Sequence, residues 1–464
     1  MCTEIDKQSR RSVELADLFA QSGETYIAQH GVSTIQYKAI TAISSCRTAK
    51  LGGHVSCCNH CGALEIAYNS CRYRHCPKCQ APKKVRWLDA RKAEVLPVPY
   101  FHVVFTLPHE LNPIAAYNQE TIYNILFKAA WGTVNTLGHD KKRLNGQMGM
   151  MGFLHTWNQQ VNRHIHLHCM VPAGAICNAD GKLQWNPSKK DYLFPVNVMA
   201  KLFSKLFLTE LTKAFKNNEL VFKGSIAHLA KESEFMKLKL QLKPRPKTWN
   251  VYAKEPFNGA DGGMEYLARY FTKTAIGNER LISFNEQQIT FKWRDSRDNN
   301  QTKLMTLEAH EFIRRYLSHI LPHGFMRVRY FGFLANSVKA KNIALIRSLL
   351  PAHETQPAPT ETVILESVPK AGAIALDTTN PSISQESLKF EQSQLHPLSC
   401  EMQINNTSVT PFSAEKKTES IAELMKRVVG VDITLCKHCK IGRLEKIQTI
   451  LPGSLFLPTP WDTS

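Results

Sequence analysis

Apolar residues recur at helical spacing near the start of the chain. Val13, Leu15, Leu18 and Phe19 share one face, and Ile35, Tyr37, Ile40 and Ile43 share another, which predicts helices across Ser12 to Thr48. The pattern lapses between Cys46 and Cys79, where Cys, His and Gly replace the apolar periodicity. It resumes as the strand Tyr100–Leu107, closed by Pro108, and as a long helix over Glu120–Thr136. A strand pair follows, Met151–Trp157 and His164–Pro172. Met199, Leu202, Phe203, Leu206 and Phe207 give an amphipathic helix over Pro195–Asn218. Trp249–Ala253 reads as a strand, Glu265–Thr274 as a helix, Arg280–Phe284 with Gln288–Trp293 as a hairpin, and Glu308–His319 as a helix. Strands and helices interleave irregularly. This favours an α+β fold with a central antiparallel sheet and flanking helices over a doubly wound parallel one.

Residues 351–430 differ: they are rich in Pro, Thr, Ser, Glu and Gln, lack periodicity, and read as a flexible linker. The expected organisation is therefore an N-terminal module at 1–95, a larger domain at 96–350, the linker, and a small segment at 431–464 carrying Cys436-Lys-His-Cys439. The chain of 464 residues carries 58 Lys and Arg against 39 Asp and Glu, a net charge of +19, which points to a polyanionic partner, above all nucleic acid. The polar start and the lack of any bilayer-length apolar run predict a cytoplasmic protein with no membrane partner. In that reducing compartment the 13 cysteines are not expected to form disulfides, and the clustered ones read as metal ligands.

Two C-x2-C knuckles, Cys58 with Cys61 and Cys76 with Cys79, are the strongest zinc signal. Each sets two thiolates on one side, and together they would complete a tetrahedral S4 site replacing the core this segment lacks. Cys46, His54, Cys71 and His75 are candidates for a second, interleaved zinc. Arg72, Arg74, Lys83 and Lys84 cluster beside these residues and are candidates for DNA-backbone contacts. Cys436 and Cys439 form half a site; Cys400, His396, a dimer partner or no partner at all are the alternatives for its completion.

His164-Ile-His-Leu-His168 alternates with period two, so its imidazoles share one face of a strand. His166 and His168 make a divalent-metal clamp, with His155 as the third ligand and Gln159 and His164 as alternatives. Such a triad would hold Mg²⁺ or Mn²⁺ and leave positions open for phosphate oxygens. Tyr266 and Tyr270 lie at i and i+4 on one helical face with Arg269 and Lys273, which could hold the DNA backbone. The bland alternative is an apolar stripe, since a free phenol titrates near ~10 and is a poor nucleophile.

At these residues the chain resembles the HUH endonucleases and, more closely, the two-tyrosine transposases of the insertion sequence 91 family. The resemblance rests on Leu51-Gly-Gly-His54, Cys58-x2-Cys61, Tyr68 to Gln80, Leu154-His-Thr-Trp157, His164 to Cys169 and Tyr266 to Ile276. It continues through Glu311-Phe-Ile-Arg-Arg315, Leu321 to Phe325 and Leu334-Ala-Asn336. It implies an HUH-like central antiparallel sheet, a metal on His166 and His168, and Tyr266 and Tyr270 as nucleophiles. Single-stranded element ends and target DNA would be cut and rejoined through 5′-phosphotyrosine links in rolling-circle-like transposition, with a homo-oligomer admitted. Two alternatives are a relaxase or replication initiator with the same chemistry and a non-catalytic zinc-dependent DNA-binding regulator.

Overall fold

The computed structural model describes residues 13–189, 192–243, 249–257, 274–285, 287–351 and 419–454. Tyr266, Arg269, Tyr270 and Lys273 lie outside the described residues, and so does the expected helix around them apart from Thr274.

Two helices open the chain, α1 (Leu15–His30) and α2 (Thr34–Ser44). Ser33 caps α2: its hydroxyl accepts from the Gln36 amide, and the Gln36 side chain reaches back to the Ser33 amide. The hairpin β1 (Gly53–Cys58) and β2 (Leu64–Tyr68) comes next, followed by the basic helix α3 (Ala81–Lys92). Leu15, Leu18, Phe19, Ile40 and Ile43 bury the faces their spacing predicts, whereas Tyr37 is exposed.

The central sheet has five antiparallel strands. They are β3 (Tyr100–Thr106), β4 (Gly149–Trp157), β5 (Arg163–Pro172), β8 (Asn250–Phe257) and β12 (Val328–Gly332), in the order β12-β4-β5-β3-β8. One face of β5 turns Ile165, Leu167, Cys169 and Val171 into the main core, beneath α5 (Gln119–His139) and α6 (Val196–Lys216). That core fixes the register, because a one-residue slip would carry this whole apolar set to the other face and bury the histidines. Smaller hairpins and sheets surround it: β6 (Gly174–Ala179) with β7 (Lys182–Pro187), and β9 (Leu281–Phe284), β10 (Gln288–Asp295) and β11 (Gln301–Glu308).

Helix α8 (Ala309–Leu317) ties the parts together. Phe312, Ile313, Tyr316 and Leu317 share a second core with α1, α2, Cys46 and Cys76. Its polar face carries Glu311, which accepts from Arg314 and Arg315 at 2.6–2.9 Å; Arg314 above all holds its carboxyl down at about 2. Arg315 also donates to the Gln160 carbonyl in the turn that launches β5.

The C-terminal segment departs from expectation. Ile421–Val429 is a helix, α10, within the stretch whose composition reads as linker, and it docks on α3 through an Arg427–Asp89 ion pair of 2.8 Å; α9 (Lys339–Leu349) precedes it in the chain. Strand β13 (Leu444–Ile450) pairs antiparallel with β1, from Gly53 opposite Ile450 to Cys58 opposite Leu444. Residues 431–454 therefore complete the N-terminal module as the third strand of its sheet.

Candidate functional site: three metal-shaped clusters

The cysteines sort differently from their spacing. Cys46, Cys71, Cys76 and Cys79 form one group and Cys58, Cys61, Cys436 and Cys439 another, each with sulfurs within 4.8 Å of one another. The two N-terminal knuckles do not share a site. Cys58 and Cys61 sit at the tip of the β1–β2 hairpin, while Cys76 and Cys79 lead into α3 beside the second core. Each knuckle takes its partners from elsewhere: Cys46 and Cys71 for one, the C-terminal pair for the other.

The sulfur separations suit zinc. A tetrahedron with Zn–S arms of ~2.3 Å has edges of about 3.8 Å. Cys71–Cys79, Cys58–Cys439 and Cys61–Cys436 are each separated by 3.7 Å. Backbone amides point at the sulfurs, as they must to stabilise thiolates: Cys71 to Cys46 and Tyr73 to Cys71 at 3.5 Å, His60 to Cys58 at 3.5 Å, and Gly442 to Cys439 at 3.3 Å. The Gly442 bond leads the causes that hold the Cys439 thiol down at about 6.

His54 and His75 belong to neither group. His54 lies in β1, opposite Ala67 and Thr449. His75 is buried, and burial holds its imidazole neutral by pushing its pKa well down; its Nε2 accepts from the Leu321 amide and its carbonyl accepts from the Tyr316 hydroxyl. Arg74 is likewise structural rather than a phosphate contact. Its guanidinium is half-buried and donates to the carbonyls of Leu321, Pro322 and Phe325 at 2.7–3.2 Å. Arg72 and Lys83 are exposed and Lys84 is half-buried.

The histidine cluster lies on the opposite face of β4 and β5 from the main core. His155 of β4 stands directly across from His166 of β5, and His168 is two residues further along. Their ligand nitrogens lie within 4.8 Å of one another. Outer partners fix which nitrogen faces inward. The His164 carbonyl can only accept, so His166 carries its proton on Nδ1, 2.8 Å away, and presents Nε2. His168 Nδ1 is 2.9 Å from Nε2 of His102 on β3, whose ring stacks nearly parallel at 5.1 Å. Burial, aided by Lys254, holds His102 neutral with a pKa near 4. His102 is the site residue that sequence reasoning missed; its strand was predicted, but nothing in the sequence set that strand beside the histidine run.

His164 and Gln159 do not join the cluster. His164 and Ile165 together oppose the single residue Thr156, a β-bulge that shifts His164 off the histidine register. Gln159 is exposed in the turn before β5, where its carbonyl accepts from Arg280. That turn is tightly held: Asn158 Oδ1 accepts from the Gln160 and Asn162 amides, and His319 Nε2 donates to the Val161 carbonyl. Three nitrogens on rigid strands, two of them oriented from behind, would leave coordination positions open on a bound metal, whereas four sulfurs would leave none.

Residues 149–342, from β4 into α9, match the family described as "Putative transposase", and residues 18–107 match the "Transposase zinc-binding domain". The chain is 43% identical to a protein of Sinorhizobium fredii named "Putative transposase y4qJ", over 76% of this chain and 88% of that one. It is 27% identical to the transposase for insertion sequence element IS801 of Pseudomonas savastanoi pv. phaseolicola, over 72% of this chain and 78% of that one. No solved structure matches. Among the described residues no helix is long and apolar enough to cross a membrane. Matched on both its cysteine module and its histidine-bearing sheet, the chain belongs to the insertion sequence 91 family of transposases, with a transposase zinc-binding domain on its N-terminal side.

Proposed function

We propose that this transposase cleaves and rejoins single-stranded DNA with tyrosine as the nucleophile. The observation that carries the reading is the triad of His155, His166 and His168, convergent on one face of the sheet with two of its rings oriented by hydrogen bonds. A divalent ion held there would neutralise charge on the phosphoryl oxygens; imidazole donors suit Mn²⁺ better than Mg²⁺, and either would leave sites for phosphate. Tyr266 and Tyr270 are the nucleophiles in this proposal. The phenol oxygen of one forms a bond to phosphorus, the 3′ oxygen leaves and takes a proton, and the 5′ end stays on the protein. The phosphoester bond is conserved, so rejoining needs no nucleotide triphosphate. The second tyrosine serves the second strand, and the exposed Arg72 and Lys83 contribute to holding DNA.

The test is incubation of labelled single-stranded element ends with Mn²⁺ or Mg²⁺, read as a covalent protein–DNA band on a denaturing gel. Wild type should give the band. His168→Ala and the Tyr266→Phe/Tyr270→Phe double variant should lose it while still binding DNA. A band that survives loss of both hydroxyls would overturn the tyrosine assignment. DNA binding with no band from any end-derived strand would favour a regulator instead.

A further inference from the structure

We propose that Cys58, Cys61, Cys436 and Cys439 form a second tetrathiolate zinc site that clasps the C-terminal segment onto the N-terminal module. Neither family match reaches the C-terminal pair, since the two cover residues 18–107 and 149–342. The proposal stands on four observations. Two sulfur pairs from opposite ends of the chain meet at 3.7 Å, the edge of a zinc tetrahedron and far beyond the ~2.05 Å of a disulfide. Amides from both halves, His60 and Gly442, aim at the sulfurs. Gly442 is required by close approach: a Cβ there would lie 2.5 Å from Cys58 Sγ. The two knuckles are also cross-registered by Asn59, whose amide donates to the Arg443 carbonyl while its side chain accepts from the Arg443 amide and donates to Glu445.

Beyond the β1–β13 ladder and its flanking hydrogen bonds, the segment has no apolar core of its own to hold it in place. Of residues 419–454, only Leu424, Cys436 and Ile450 are buried hydrophobics, and they belong to none of the three apolar cores among the described residues. The exposed Val429, Val431, Ile433, Ile441 and Leu451 contribute no core. Ion pairs such as Arg427–Asp89 are exposed, and pairs of that kind hold weakly. Metal binding that is also folding resolves the imbalance.

The experiment uses the full chain with a site-specific protease sequence inserted between residues 352 and 418. Zinc content is measured by mass spectrometry, and the cut protein is run on gel filtration. Wild type should hold two zinc ions per chain and keep its C-terminal fragment after cleavage. The Cys436→Ser/Cys439→Ser variant should hold one zinc and release the fragment, its remaining zinc showing that the N-terminal module is intact. Cobalt in place of zinc should give tetrathiolate absorption that falls by half in the same variant. One zinc per wild-type chain, or a variant that retains two zincs or its fragment, would overturn the proposal.

Discussion

The histidine cluster and the buried cysteine cluster are both metal-shaped, yet they sit in opposite kinds of surroundings. His155, His166 and His168 project from strands whose other face is already secured by a large core, so the fold does not need an ion there. Cys46 and Cys76 are themselves members of the second core, wedged between α1, α2 and α8. Donor number follows the same division: three hard-to-borderline nitrogens with positions to spare, against four soft thiolates that close the shell. On the proposed reading, a metal held by the core-embedded cysteines would support folding, while one held by histidines on a finished sheet would be free to serve chemistry.

The sharpest way to break this comparison is to remove one ligand from each. Cys76→Ser should be the most damaging change, since a structural zinc is worth up to ~10–16 kcal/mol of apparent folding energy in small domains. Calorimetry and zinc analysis should show loss of the module's transition together with its metal. His168→Ala should leave the melting temperature within a few degrees of wild type but lower Mn²⁺ affinity more than ~100-fold, beyond what an outer-shell change costs. Titration calorimetry on the folded variant decides it: a collapse in stability would place the histidines with the cysteines.

The pH dependence sharpens the contrast from the histidine side. His319 is fully buried, donates to Val161, accepts from Thr156 at 3.2 Å, and is held by burial at about 4. Its native form stays neutral while the unfolded chain takes up a proton below ~6.5, so stability should fall as pH drops from ~6.5 towards 4. The full effect is on the order of 3 kcal/mol, from ~1.4 kcal/mol per pKa unit. Chemical denaturation from pH 7 to 4.5 should show a shallower slope for His319→Gln than for wild type; an unchanged slope would mean that other groups carry the acid sensitivity. The smallest effect is expected at His102. Its replacement by Gln should weaken Mn²⁺ binding by ~10–100-fold with the ligands untouched, and no change would show that the 2.9 Å contact does not orient His168.

Much of this was legible in the sequence. The i, i+2 histidines, the strand opposite them and the helices of the main core all follow from periodicity, because burial of one face is local and repetitive. The assignment of knuckles to sites does not follow. Spacing brings two thiolates together, but a third and fourth come from wherever the chain folds, and Cys58-x2-Cys61 takes its pair from 375 residues away across Cys61–Cys436. Parity was the available clue: three C-x2-C knuckles plus Cys46 and Cys71 make eight sulfurs, enough for two S4 sites with no histidine. Arg74 and His75 misled for a related reason. A basic residue beside a zinc knuckle looks the same in sequence whether it meets phosphate or, as here, the carbonyls and amide of the Leu321–Phe325 loop.

The pairing of β1 with β13 also sets an order of events during synthesis. Cys58 and Cys61 are made early and must wait some 375 residues for their partners. At ~5–20 residues per second this is roughly 20–75 seconds on the ribosome. Throughout that interval β1 has β2 on one side and an unoccupied edge on the other. The first-made module of this transposase is thus among the last to be finished, and a message truncated before Cys436 yields a chain in which it never is.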